Sequence, residues 1–182
     1  MGKQFDTLQD DQITFIGEQH LFFTGTAAPT GKVNISPKGM DSLRVLSPTR
    51  ILWRNLTGSG NETDGHLRLA NRITLMWCSF SKRPLILRVY GSANMTTPED
   101  ASWEELNAHF PEAIGARQIY DVSIEMVQSS CGFAVPFFDH VEDRQVLSKW
   151  AEDKGRDGVK AYWTDRNGQT LDGFPTTYDN ER

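Results

Sequence analysis

The chain has 182 residues, with 24 acidic and 19 basic side chains and a net charge of −5. That length suits one domain, residues 1–182, with a real core, and the acidic balance excludes a general nucleic-acid binder, which needs a basic stripe. No apolar run approaches the ~20 residues needed to cross a bilayer, so no membrane partner is expected.

Asp10 to Glu18, with Ile13 and Ile16 on one side, predicts a short helix. His20 to Ala27 is rich in Phe and Thr and reads as a strand. Pro29-Thr30-Gly31 turns the chain, Lys32 to Ser36 alternates as a second strand, and Pro37 is expected to end it. Leu43 to Leu46 and Arg50 to Asn55 give two more strands, split at Ser47-Pro48. A helix is expected to begin near Asn61. Arg72 to Phe80 and Leu85 to Met95 then read as a hairpin around Lys82-Arg83-Pro84. Thr97-Pro98-Glu99-Asp100 predicts a helix start, with Trp103, Leu106 and Phe110 facing inward. Gln118 to Gln128 alternates as a last strand. Asp139 to Lys154 predicts a helix with Val146, Leu147 and Trp150 inward, ended by Gly155. Tyr162 to Arg182, rich in Gly, Asn, Asp and Thr, needs something to pack on. Six or seven strands joined mainly as hairpins, without regular βαβ alternation, predict a small antiparallel barrel with peripheral helices.

One loop carries chemistry. Asn55-Leu56-Thr57-Gly58-Ser59-Gly60-Asn61-Glu62-Thr63 follows an apolar strand and precedes a helix. Glycines let the backbone approach a ligand, and hydroxyls and helix N–H groups then donate to phosphate oxygens. The loop is not a Walker A motif, because no Gly-Lys-Ser/Thr closes it, nor GxGxxG, because Thr63 takes the third glycine's place. The plain alternative is a polar loop that caps a helix through Ser59 or Asn61. The histidines at positions 20, 66, 109 and 140 show no metal-ligand spacing, so no metal is expected. His66 reads as a helix-surface residue and Cys131 as a small buried thiol. The first six residues hold no apolar signal segment, so we expect a cytoplasmic protein with Cys78 and Cys131 reduced.

The segments Val33-Asn34-Ile35-Ser36-Pro37-Lys38-Gly39, the glycine loop, Arg72-Ile73-Thr74-Leu75-Met76 and Gln128-Ser129-Ser130-Cys131-Gly132 occur in that order. Together they resemble the pyridoxamine 5′-phosphate oxidase-related FMN-binding proteins, the FMN split-barrel family. The resemblance covers roughly residues 22–136. The stretch Asn167-Gly168-Gln169-Thr170-Leu171-Asp172-Gly173-Phe174-Pro175 is similar to the tail of one subgroup. The resemblance implies a mainly β, six-stranded antiparallel split barrel with a core at about 20–136 and a C-terminal helix and tail at 137–182. It further implies a homodimer with FMN at its interface. It does not imply pyridoxamine phosphate as substrate, because the Ser-Arg-Lys phosphate segment and the C-terminal Arg/His pattern of that activity are missing.

By resemblance Ser36, Lys38 and Gly39 meet the FMN phosphate or ribityl chain. Asn55, Thr57, Ser59, Gly60, Asn61 and Thr63 form the main cofactor-binding set, and Gln128 and Ser129 read the flavin rim. Lys38 or Arg54 would supply charge near the ring, and Trp163 packs a helix or covers a partner's flavin. The expected function is an FMN-dependent oxidoreductase acting on a small molecule, with a nicotinamide or other electron donor. Its alternatives are a non-catalytic flavin-storage or sensing module, and a barrel that binds deazaflavin or haem.

Overall fold

Residues 2–179 are described by the computed structural model, and their eight strands join one antiparallel sheet. In chain order these are β1 (Lys3–Phe5), β2 (Phe22–Thr26), β3 (Asn34–Lys38), β4 (Leu43–Ser47), β5 (Arg50–Leu56), β6 (Ile73–Cys78), β7 (Leu85–Thr96) and β8 (Ala116–Cys131). Four helices accompany them: α1 (Asp10–Gly17), α2 (Glu62–Leu69), α3 (Trp103–Asn107) and α4 (Val146–Arg166). The sheet order is β3-β2-β6-β7-β8-β5-β4, and β1 pairs with the far half of β8, Lys3 opposite Ser129. The sheet curls but does not close, as a split barrel allows. Met1 and residues 180–182, part of the expected single domain and tail, lie outside the described residues.

Alternation sets the layers. Ile51, Trp53, Leu75, Trp77, Leu87, Val89, Tyr120 and Val122 fill the interior, and Phe15 and Ile16 of α1 join the same core. Leu52 and Ile119, on the opposite face, pack against Trp103, Leu106 and Phe110 around α3. Both faces of β5 are therefore covered, which explains its unbroken apolar run. A third cluster holds Ala151, Val159 and Trp163 of α4 beside Tyr178.

The long strand β8 bends against β7 where the register slips between Tyr90 and Gly91. A Cβ at Gly91 would sit 2.0 Å from the Ser123 carbonyl oxygen, so this bulge accepts only glycine.

Four elements differ from expectation. β1 is an addition, since three residues are too short to show a period. Pro37 lies inside β3, opposite Phe23, because β3 is an edge strand where a missing N–H disrupts nothing outward. Thr97 does not open a helix: its N–H and hydroxyl both bind the Asp100 carboxylate in a turn, and α3 starts only at Trp103. Residues 139–145 are not helical; α4 starts at Val146 and resumes beyond Gly155, whose φ of 66° kinks it. The second half continues because Val159 and Trp163 have a buried cluster to join.

Candidate functional site

The pleat of β3 puts Asn34, Ser36 and Lys38 on one face. These three, Asn55 at the end of β5, the loop from Gly58 to Asn61, and Thr63 and His66 of α2 line one cavity of about 560 Å³. Arg117 of β8 and the segment Gln169-Thr170-Leu171 complete its walls. Seven of the expected site residues meet here: Ser36, Lys38, Asn55, Ser59, Gly60, Asn61 and Thr63.

Asp64, on the first turn of α2 and buried, organises the amides. Its Oδ1 accepts from Arg68 Nε at 2.7 Å. Its Oδ2 accepts from Asn61 Nδ2 at 3.1 Å, Gln118 Nε2 at 3.0 Å and the Thr177 amide at 2.6 Å. A carboxylate only accepts, so each amide must turn its NH2 toward Asp64. Gln118 Oε1 is thereby left to accept from Asn55 Nδ2 at 3.0 Å and from the Tyr120 hydroxyl at 3.2 Å. The consequence is directional: Asn55 and Asn61 are each left with a carbonyl oxygen that is buried and without a partner.

The cationic side is equally uncompensated. Among the described residues the Lys38 ammonium makes no ion pair and no hydrogen bond; it lies 5.3 Å from the centre of the Trp53 ring. Burial, and then the charge of Arg117, lower the Lys38 pKa to about 8. Arg117 is itself buried; its Nη1 donates to Asn167 Oδ1 at 2.5 Å and the Gly60 carbonyl at 3.2 Å, while its Nε has no partner. Burial lowers the Arg117 pKa as well, although a guanidinium stays charged. Glu62, the nearest acid of the loop, is taken by the Leu171 amide at 3.1 Å to each oxygen. Lys38 and Arg117 thus face a concave site at the start of α2, whose wall also holds Lys32 and Arg166, paired with Asp172 and Asp165; helix N–H groups there also favour an anion.

A second cavity, of about 720 Å³, abuts the first across Lys38, Gly58 and Ser59. Its walls include Leu21, Pro37, Met40, Leu147, Trp150 and Tyr162, with Gly39 and Thr57. Gly39 therefore faces this neighbour rather than the polar site. Thr57 lines it too, but its hydroxyl donates to the Gly115 carbonyl at 2.9 Å and accepts from Trp163 Nε1 at 2.8 Å, so it anchors α4. Trp163 accordingly packs a helix.

Other expected residues lie elsewhere. Gln128 and Ser129 line neither cavity. Gln128 stands ten residues along β8 from Gln118, roughly 30 Å of extended chain, and accepts instead from the Tyr90 hydroxyl at 3.3 Å. Arg54 points to the other face of β5, stacked on Phe110 and donating to the Pro111 carbonyl at 2.5 Å, because neighbours on a strand alternate. Cys131 is exposed, at the end of β8. Arg117 and Thr170 escape the sequence reading, and His66, expected on the helix surface, is instead buried at the cavity wall. Arg117 leaves no signal of its own, because β8 also carries Asp121 and Glu125 and only the fold shows which of its charges is buried.

No family model matches the chain. The pyridoxamine 5′-phosphate oxidase family protein ustO of Aspergillus flavus is 33% identical over 189 residues, which cover 94% of this chain and 76% of that protein. The chain belongs to the pyridoxamine 5′-phosphate oxidase family. Solved structures at lower identity share the family's fold. A putative pyridoxamine 5′-phosphate oxidase from Lactobacillus delbrueckii is 18% identical with a TM-score of 0.55, covering 68% of this chain and 94% of that one. HupZ from Group A Streptococcus is 19% identical with a TM-score of 0.52, covering 65% and 91%. Among the described residues no helix is long and apolar enough to cross a membrane, and no cluster of His, Cys, Asp or Glu could hold a metal ion.

Proposed function

We propose that this member of the family binds FMN in the polar cavity and uses it as an oxidoreductase on a small, largely apolar substrate. One observation carries the reading. The partnerless buried atoms of cavity-lining residues are two acceptors, Asn55 Oδ1 and Asn61 Oδ1, one donor, Arg117 Nε, and His66 Nε2, whose role follows its tautomer. A phosphorylated polyol answers that set: its hydroxyls donate to the amide oxygens, and its phosphate takes the guanidinium and the Lys38 ammonium. The ribityl phosphate of FMN is such a chain. Each buried polar atom left unpaired costs about 1–3 kcal/mol, so the site is built around a ligand that pairs them.

When bound, the flavin ring supplies reversible electron and hydride transfer. The residues of the chain hold and orient it. Lys38 and Arg117 balance the phosphate charge, Ser59 and the Gly58–Gly60 backbone lie along it, and Asp64 fixes the amides without touching it. The adjoining apolar cavity, open to the first across Lys38, gives a flat substrate or nicotinamide donor a place beside the cofactor. A deazaflavin carrying the same phosphorylated chain suits the same groups, whereas a haem leaves the amide oxygens unpaired.

A homodimer belongs to this reading. Val33, just before the edge strand β3, and Ile35 within it are 70% and 69% exposed. With Phe23, Met76 and Tyr90 they border a further, largely apolar hollow of about 450 Å³ on the outer sheet face. A second copy seated there buries this surface and could bring its own Gln128 and Ser129 to the flavin.

The test is the absorption spectrum of the purified protein, followed by chromatography of the acid-released cofactor. A flavin spectrum with FMN released is expected. FAD, deazaflavin or haem in its place, or no uptake from excess FMN, overturns the assignment.

A further inference from the structure

We propose that His66 is a ligand-binding residue: it donates through Nε2–H to an oxygen of the phosphorylated polyol chain, in the tautomer whose Nδ1 accepts from Thr26. The identity of the ligand rests on the reading above; the tautomer does not.

The ladder between β2 and β3 sets Thr26 opposite Asn34 and Thr24 opposite Ser36. On the cavity side of that ladder a chain of hydrogen bonds leads to His66. The Ser36 hydroxyl donates to Asn34 Oδ1 at 3.1 Å, which leaves the amide nitrogen of Asn34 to face Thr26 Oγ1 at 3.5 Å. Thr26 Oγ1 lies 3.1 Å from His66 Nδ1. A threonine hydroxyl has one proton and two acceptor sites; in the proposed arrangement Thr26 accepts from Asn34 and gives its proton to Nδ1. A neutral imidazole that accepts at Nδ1 carries its own proton on Nε2. That Nε2 is buried and has no partner in the protein, and His66, only 1% exposed, lines the polar cavity. On its other side the ring meets Phe174 edge-on, 6.5 Å between centres, which offers no acceptor. The remaining acceptor is a ligand oxygen. His66 therefore lies at the Asn34 end of the cavity and Lys38 at the opposite end of β3, so a chain with oxygens along its length touches both.

The experiment combines 15N NMR of histidine-labelled apoprotein with titration of FMN and riboflavin into wild type, His66→Phe, His66→Gln and Thr26→Val, with thermal melts of each. The Nε2–H tautomer is expected in wild type. His66→Phe should weaken FMN binding roughly 10- to 100-fold, the range for a lost hydrogen bond to a charged or strongly polar acceptor. His66→Gln, which keeps a donor near the Nε2 position, should stay within a few-fold. Thr26→Val, which unlocks the ring, should fall between them. A loss confined to FMN assigns the phosphate as acceptor; an equal loss with riboflavin assigns a ribityl hydroxyl. The inference is overturned by an Nδ1–H tautomer, or by a folded His66→Phe that binds FMN like wild type. If that variant fails to fold, Thr26→Val and the wild-type tautomer decide. Wild type that takes up neither FMN nor inorganic phosphate overturns the functional reading and His66's role together; FMN uptake indifferent to both substitutions overturns only the latter.

Discussion

Lys38 shows how a single residue can be unstable alone and useful with a ligand. Its folded pKa of about 8 lies below the ordinary lysine value of 10.5, mainly through burial and then through Arg117. Below pH 8 the group is charged in both folded and unfolded chains, and the folded state bears the desolvation; above pH 10.5 it is neutral in both. Apoprotein stability should therefore rise between pH 8 and 10.5, and Lys38→Met should melt higher than wild type at pH 7, as thermal melts will show. FMN affinity should move the other way. An anion raises the Lys38 pKa, so the dissociation constant should grow above pH 8, by up to about tenfold per pH unit, and stay flat in Lys38→Met; flavin fluorescence titration checks both. Asp64 works through its neighbours. Asp64→Asn introduces an NH2 that meets other NH2 groups, so Asn61 and Gln118 lose their fixed orientation. A loss of about 2–4 kcal/mol in urea unfolding is expected, with weaker FMN binding.

Among elements, the C-terminal segment was the least legible. Its Gly, Asn and Thr residues have no period, and what holds them is a set of single bonds to distant places: Asn167 Nδ2 to the Gly58 carbonyl at 3.1 Å, the Thr177 amide to Asp64, and the Tyr178 hydroxyl to the Arg117 carbonyl at 2.9 Å. No local pattern encodes such partners. The strands around the site were legible because Asn34, Ser36 and Lys38, or Ile73, Leu75 and Trp77, alternate on a pleat. The glycine loop was legible because Gly58-Ser59-Gly60 sits between a strand and a helix. The loop's pattern marks Asn61 and Asn55 as binding residues, but what leaves their carbonyl oxygens unpaired, the Asp64–Gln118 network, spans residues 55 to 118 and is not legible in spacing. Gly65 tests how the segment seats on α2. A Cβ there would come within 2.3 Å of Thr170 Cγ2 and 3.5 Å of the Phe174 and Pro175 carbonyl oxygens. Gly65→Ala should lift the segment off the cavity: limited proteolysis should cut near residues 170–175 faster than in wild type, and added FMN should restore part of the protection.

At the scale of the molecule, the resemblance placed Gln128 and Ser129 at the flavin, and one chain cannot bring them there, since β8 carries them to the far end of the sheet. Sequence motifs do not distinguish residues that meet within a chain from those that meet across two. The exposed Val33 and Ile35 give this a test. Ile35→Glu should turn a dimer into a monomer in sedimentation at micromolar concentration and should weaken FMN binding as well; a wild-type monomer that holds FMN tightly would remove the shared site. The central claim, that the flavin phosphate sits between Lys38 and the glycine loop, is tested most directly by the double variant Lys38→Glu with Ser59→Asp, which sets two negative charges beside a dianion. Native circular dichroism with flavin absorbance lost is the expected result; native circular dichroism with normal flavin content would contradict it and place the phosphate elsewhere.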